Sequence, residues 1–228
     1  MAEILLIHGA MHGAWCWDLL RPELEQLGHR THVLDLPIES AGSTLDTYAD
    51  VVALKLDQMP GPAWLVGHSM GGMVAPRAAL KRTVAGMVLL CTVPPDLSER
   101  HQQENLTAVN VDKVAEFVTK DGLQTISPDL APSHFFAACS AELQRWASLK
   151  LRPQSAAALD RIRAPLPQLP AVPTHAILTR NDALLMAEPM AALYRRRLNL
   201  EPVMLPGDHS PFLCCPELLA TTIDRMAR

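Results

Sequence analysis

The stretch Gly67-His68-Ser69-Met70-Gly71 lies between the apolar run Ala63-Trp64-Leu65-Val66 and the small-residue run Gly72-Met73-Val74-Ala75. That order predicts a strand, a sharp turn with serine at its apex, and a helix. A G-x-S-x-G turn of this kind tilts the serine hydroxyl out of the carboxyl end of a parallel strand, where a base and a reactant can both approach it. Glycines at 67 and 71 keep side chains out of the turn, and Gly72 lets the helix pack closely as it leaves the strand. The pattern alone recurs by chance in roughly one chain in ten of this length, so its surroundings must carry the reading.

Those surroundings alternate apolar runs of strand length with longer helical patterns, the signature of βαβ units and a parallel sheet. Strands are predicted at Ile4–His8, Thr31–Leu36, Ala63–Gly67, Gly86–Thr92, Thr174–Thr179 and Glu201–Leu205. Helices are predicted at Trp15–Leu27, Leu45–Gln58, Met70–Arg82, Ala187–Leu198 and Pro216–Ala227, with Gly28 as a stop and Pro216 in a first turn. Residues 1–96 and 174–228 therefore read as an α/β core with a mostly parallel sheet. Residues 97–173 break the alternation and read as an inserted helical cap without strands. Within it, Asn110 can cap a helix over Val111–Lys120 that Gly122 closes, and Ser140 can cap Ala141–Leu149. Prolines 165, 167, 170 and 173 form a stiff return to the next strand.

At 228 residues and 49% hydrophobic, the chain can bury one substantial core but not two comfortable domains. A net charge of -4, with basic residues scattered apart from Arg195-Arg196-Arg197, gives no footprint for nucleic acid. The Arg triplet reads as a solvated helix end. Met1–His8 lacks a basic region, and its apolar stretch is too short for a signal peptide or a membrane span, so a cytoplasmic protein is expected. The cysteines (Cys16, Cys91, Cys139, Cys214, Cys215) are odd in number and lack metal-finger spacing, so neither a disulfide nor a structural metal is expected.

A serine hydroxyl is a weak nucleophile until a base takes its proton and a third group fixes that base. After a strand-turn-helix serine, the partners follow in the order acid, then histidine. Asp182, after the strand at Thr174–Thr179, and His209, after the strand ending at Leu205, satisfy that order at the edge where Ser69 emerges. Among nine histidines, only His209 combines a late position, a loop after a strand and a Gly207-Asp208 turn. Asp96 is the alternative acid, whereas Asp208 adjoins His209 and is poorly placed to orient its ring. The two amides that acyl transfer requires would come from Met70 and from Ala10, in the Gly-rich loop after the first strand. A cap over this edge would roof a pocket. Phe117, Phe135, Phe136 and Trp146 are candidates to line it, and packing of the cap onto the body accounts for each equally well.

His8-Gly9-Ala10-Met11-His12-Gly13-Ala14-Trp15-Cys16-Trp17, Leu34-Asp35-Leu36, Gly67 to Met73 and Gly207-Asp208-His209 together resemble the plant methylesterase and hydroxynitrile lyase family of α/β-hydrolases. Leu149-Lys150-Leu151-Arg152-Pro153 and Leu213-Cys214 extend the resemblance over nearly the whole chain. It implies the α/β-hydrolase fold, a triad of Ser69, Asp182 and His209, an oxyanion hole from Ala10 and Met70, and His12 near the substrate. The family's lyases carry threonine where this chain has Gly9 and lysine where it has Ser210, so the esterase branch is favoured. The expected activity is a carboxylesterase cleaving a small to medium ester without a cofactor. A lyase, a C–C bond hydrolase and a ligand receptor on a hydrolase scaffold are the alternatives. A small-molecule ester is the expected partner, not nucleic acid or a membrane, and a homodimer is compatible with the sequence.

Overall fold

A computed structural model describes residues 1–160 and 165–228; positions 161–164 of the expected cap lie outside the described residues. In chain order the strands are β1 (Glu3–Ile7), β2 (Arg30–Val33), β3 (Trp64–His68), β4 (Gly86–Leu90), β5 (Val118–Lys120), β6 (Leu123–Thr125), β7 (Gln154–Ser155), β8 (Thr174–Thr179) and β9 (Val203–Leu205). The helices are α1 (Leu20–Gln26), α2 (Leu45–Leu56), α3 (Met70–Ala79), α4 (Glu99–Leu106), α5 (Val111–Ala115), α6 (Ala131–Phe135), α7 (Ala141–Ser148), α8 (Ala187–Leu198), α9 (Pro211–Cys214) and α10 (Pro216–Met226).

Six strands form one sheet in the order β2-β1-β3-β4-β8-β9, and every pairing in it is parallel. The central strands are continuous apolar runs because helices cover both faces of the sheet. Strand β1 shows the period of two directly. Leu5 and Ile7 pack with α2 and α3 on one face, while Ile4 and Leu6 pack with α1, α8 and α10 on the other. Loops after β1, β3, β8 and β9 all open at the carboxyl edge.

At that edge β3 passes into α3 through Ser69, which holds the left-handed φ of 51°. Crowding explains the glycines around it. A Cβ on Gly67 would strike the backbone of Gly71, one on Gly71 would strike the carbonyls of Ile7 and His8, and one on Gly72 would strike Thr92. The strained serine is held on both sides, its N–H donating to Leu90 O (2.9 Å) and its carbonyl accepting from Thr92 Oγ1 (2.6 Å).

Several expected elements change. The helix expected from Trp15 is a 3-10 turn at Ala14–Trp17 followed by α1, because Pro22 lacks an N–H and is tolerated only in a first turn. The second strand ends at Val33, and the Leu36 N–H instead donates to His8 Nε2. Between β4 and β8 the chain forms α4 to α7 and also a three-stranded antiparallel sheet, β5-β6-β7, so the expectation of a segment without strands is wrong. The helix expected over Val111–Lys120 stops at Ala115. Asp121 (φ 53°) and Gly122 (φ 76°) form the tight connection between β5 and β6. Asp-Gly between two strands is a hairpin signal, because both turn residues need positive φ. Arg197 is not solvated: its guanidinium is half-buried and donates to the carbonyls of His101 and Pro94 and to Asn105 Oδ1, tying α8 to α4. Among the described residues no helix is long and apolar enough to cross a membrane.

Gly71→Ala places a methyl against two backbone carbonyls that cannot rotate away. A loss of about 3 kcal/mol is expected, at the upper end for overpacking, read as a lowered midpoint of urea unfolding.

Candidate active site

Asp182 and His209 meet across two loops. The His209 Nδ1–H donates to Asp182 Oδ2 at 2.7 Å, with both side chains almost fully buried. The other carboxylate oxygen, Asp182 Oδ1, accepts from the N–H groups of Leu184 (2.9 Å) and Leu185 (3.0 Å). A buried carboxylate left without such partners would be strongly disfavoured; here three donors satisfy its two oxygens, and the carboxylate in turn fixes the imidazole. Nδ1 is thus committed to the acid, which leaves Nε2 as the nitrogen able to take a proton from a hydroxyl. Asp96 makes no bond to His209 and borders a small cavity with Arg77 and Leu166 instead. Asp208 accepts from Ala138 N (2.7 Å) and Ser210 N (2.8 Å), so it braces the loop that carries His209.

Ser69, His209, Ala10, Met11 and Met70 line one wall of a cavity of about 720 Å³. The Met70 N–H is the first of α3, where no intrahelical acceptor exists. Ala10 follows β1 in a loop held by two backbone turns, His12 N to Gly9 O (3.3 Å) and Cys16 N to Gly13 O (3.1 Å). Arg152 clamps that loop from the inserted segment: its N–H donates to Met11 O, and its guanidinium to Asp35, Glu39 and Leu36 O. Of the aromatic candidates, Phe135 and Phe117 line the cavity. Phe136 is wholly buried beside His12, and Trp146 packs edge-on against Trp15 under Lys150; neither lines the cavity. His12 does not line it either, being buried among Trp15, His68, Phe135 and Phe212.

Sequence reasoning passed over His68. Its Nε2–H donates to the His209 backbone carbonyl at 2.8 Å, and the two rings lie 4.8 Å apart. Asn110, expected only as a helix cap, does cap α5 by accepting from Lys113 N (3.3 Å), but its backbone N–H also donates to Leu184 O (2.8 Å) and its side chain to Ala183 O (3.0 Å), gripping the Asp182 loop. Neither contact leaves a local pattern; the His in Gly67-His68-Ser69 was the only signal available. Among the described residues no group of three His, Cys, Asp or Glu side chains is placed to hold a metal ion.

Burial keeps the surrounding histidines neutral, driving His12 down to about 3, His8 to about 4 and His68 well below its usual value. In an unfolded chain each would titrate near about 6.5. Below that pH the unfolded state binds more protons than the folded one, so stability falls as pH drops from about 6.5 towards 4 and 3. His8 and His12 together give a slope of roughly 2–3 kcal/mol per pH unit. Urea unfolding between pH 6.5 and 4.5 measures it, and His12→Gln is expected to flatten it.

Comparison with known proteins adds four findings. Residues 4–222 match the sequence pattern of the alpha/beta hydrolase family. The chain is 38% identical to Methylesterase 2 of Arabidopsis thaliana over 81 residues, which span 31% of each protein. The match to this curated relative therefore covers about a third of its length. The fold superposes on polyneuridine aldehyde esterase with a TM-score of 0.84 at 21% identity, over 100% of both chains. It superposes on a methylesterase from Arabidopsis with a TM-score of 0.79 at 22% identity, over 99% of this chain and 98% of that one. At these identities the structural likeness carries the fold.

Proposed function

The chain belongs to the alpha/beta hydrolase family, and from that premise we propose that it is a serine carboxylesterase working through a Ser69–His209–Asp182 triad. The observation that carries the reading is the 2.7 Å bond from His209 to a fully hydrogen-bonded Asp182, in a cavity wall shared with a left-handed Ser69. Ser69 Oγ attacks the ester carbonyl as His209 Nε2 takes its proton. The developing oxyanion is received by the N–H groups of Ala10 and Met70. His209 then protonates the departing alcohol, and water, activated by the same nitrogen, releases the acyl group from Ser69. Likeness to a methylesterase and to an esterase supports the ester as substrate.

The lyase alternative finds little support at Gly9. A Cβ there would lie 2.7 Å from His68 Nδ1 and 3.0 Å from Ser69 Cβ, which leaves no room for threonine without moving the elbow. Ser210, fully buried, brings no positive charge beside His209. Five free thiols suit a reducing compartment, and the cytoplasm is the proposed location.

Ser69→Ala is expected to lower kcat on a short 4-nitrophenyl ester by about 10⁶-fold and to abolish labelling by a fluorophosphonate. Full turnover by that variant would sink the covalent mechanism. Asp182→Asn, which leaves the shape but removes the acceptor charge, is expected to cost about 10⁴-fold in kcat; equal sensitivity of Asp96→Asn would reassign the acid.

A further inference from the structure

The cavity above Ser69 is far larger than a small ester needs. Its volume of about 720 Å³ falls in the range of sites that enclose drug-sized ligands. The walls away from Ser69 come from the inserted segment and the Asp182 loop, and they are mainly apolar: Leu106, Val109, Val114, Phe117, Phe135 and Leu185 are representative. Beyond Ser69 and His209, the uncharged polar side chains in the lining are the amides of Gln102, Gln103, Gln124 and Asn105 and the hydroxyl of Thr92, and the Asn105 amide is already engaged, donating to Pro94 O and accepting from Arg197. Among the described residues no lysine or arginine lines the cavity. The one carboxylate in the lining is Glu99, exposed in the first turn of α4, and no ion pair is seen for it among the described residues.

Resting on the esterase reading, we propose that the substrates are neutral esters with a large apolar body, and that Glu99 together with the uncharged walls discriminates against esters carrying a second, anionic group. The physical reasons are separate. Each methylene moved from water into an apolar wall favours binding, so affinity climbs with chain length until the cavity is filled. A free carboxylate entering the same space loses hydration, meets no cation among the described lining residues and shares the cavity with Glu99.

The test uses 4-nitrophenyl acetate, butanoate and octanoate, together with the mono-4-nitrophenyl ester of octanedioic acid, which is the octanoyl chain ending in a carboxylate. Steady-state kcat/KM is expected to rise at least about thirtyfold from acetate to octanoate, and to be at least about tenfold lower for the octanedioate than for the octanoate. Val114→Trp, which narrows the cavity from a partly exposed position, is expected to shift the optimum towards shorter chains. Glu99→Gln is expected to narrow the gap between octanoate and octanedioate. Binding of the same esters to Ser69→Ala, read as a shift in melting temperature, reports size and charge preference without turnover. If the wild type hydrolyses acetate best, or takes both long esters equally, the substrate proposal is wrong and the esterase reading stands. If no ester is turned over while Ser69→Ala still prefers the long neutral one, the esterase reading fails and the cavity inference survives.

Discussion

The backbone contact between β1, β3 and the first turn of α3 is the constraint on which the rest of the structure depends. Gly67, Gly71 and Gly72 let α3 start directly against strand carbonyls and Thr92, and Ser69 at the joint holds a φ of 51°. A positive φ at a non-glycine residue costs of order 1–3 kcal/mol and persists only where its surroundings over-determine it. Here the bonds to Leu90 O and from Thr92 do so. Ser69, Met70 and Ala10 line the same cavity, so the proposed nucleophile and its two proposed amide donors depend on this one packing event.

The inserted segment is then more than a roof. Asn110 N–H donates to Leu184 O, Met186 N–H to Ala108 O, and Val109 bridges Leu185, so residues 108–110 run as a short brace along the Asp182 loop. Ala138 reaches Asp208 from the same segment. Asp182 and His209, the proposed acid and base, therefore sit in loops that are each fixed from two sides, by the sheet below and by the insertion above. A catalytic geometry needs supporting contacts of this kind to stay within a fraction of an ångström.

What could be read from the sequence follows from where the information is local. Strands β1, β3, β4 and β8 are legible because burial on two faces forces uninterrupted apolar runs, and the order Ser69, Asp182, His209 is legible because the fold fixes which loops share an edge. The insertion was misread for the opposite reason. Val118–Lys120 is exposed throughout and β7 spans only Gln154–Ser155, so neither shows an apolar pattern. Asp121-Gly122 did carry a signal, but after a helical pattern it reads equally as a helix stop. Aromatic residues were ambiguous in kind: Phe135 faces the cavity while Phe136, next to it, is wholly buried off its lining, a difference set by the short helix α6 and not by composition.

The neutral histidines give the site its electrostatic character. In the proposed reaction His209 becomes an imidazolium, and its neighbours His68 and Phe135 lie within 6 Å of its ring, with His12 packed behind both. A second cation at that range, in a medium of low polarity, would oppose the charge by several kcal/mol at an effective dielectric of about 20. Burial removes that possibility by holding His68 and His12 unprotonated, and Asp182 is left as the charge paired with His209. His68 meanwhile spends its one proton on the His209 carbonyl, so the residue beside the nucleophile fixes the base without competing for the proton it must carry.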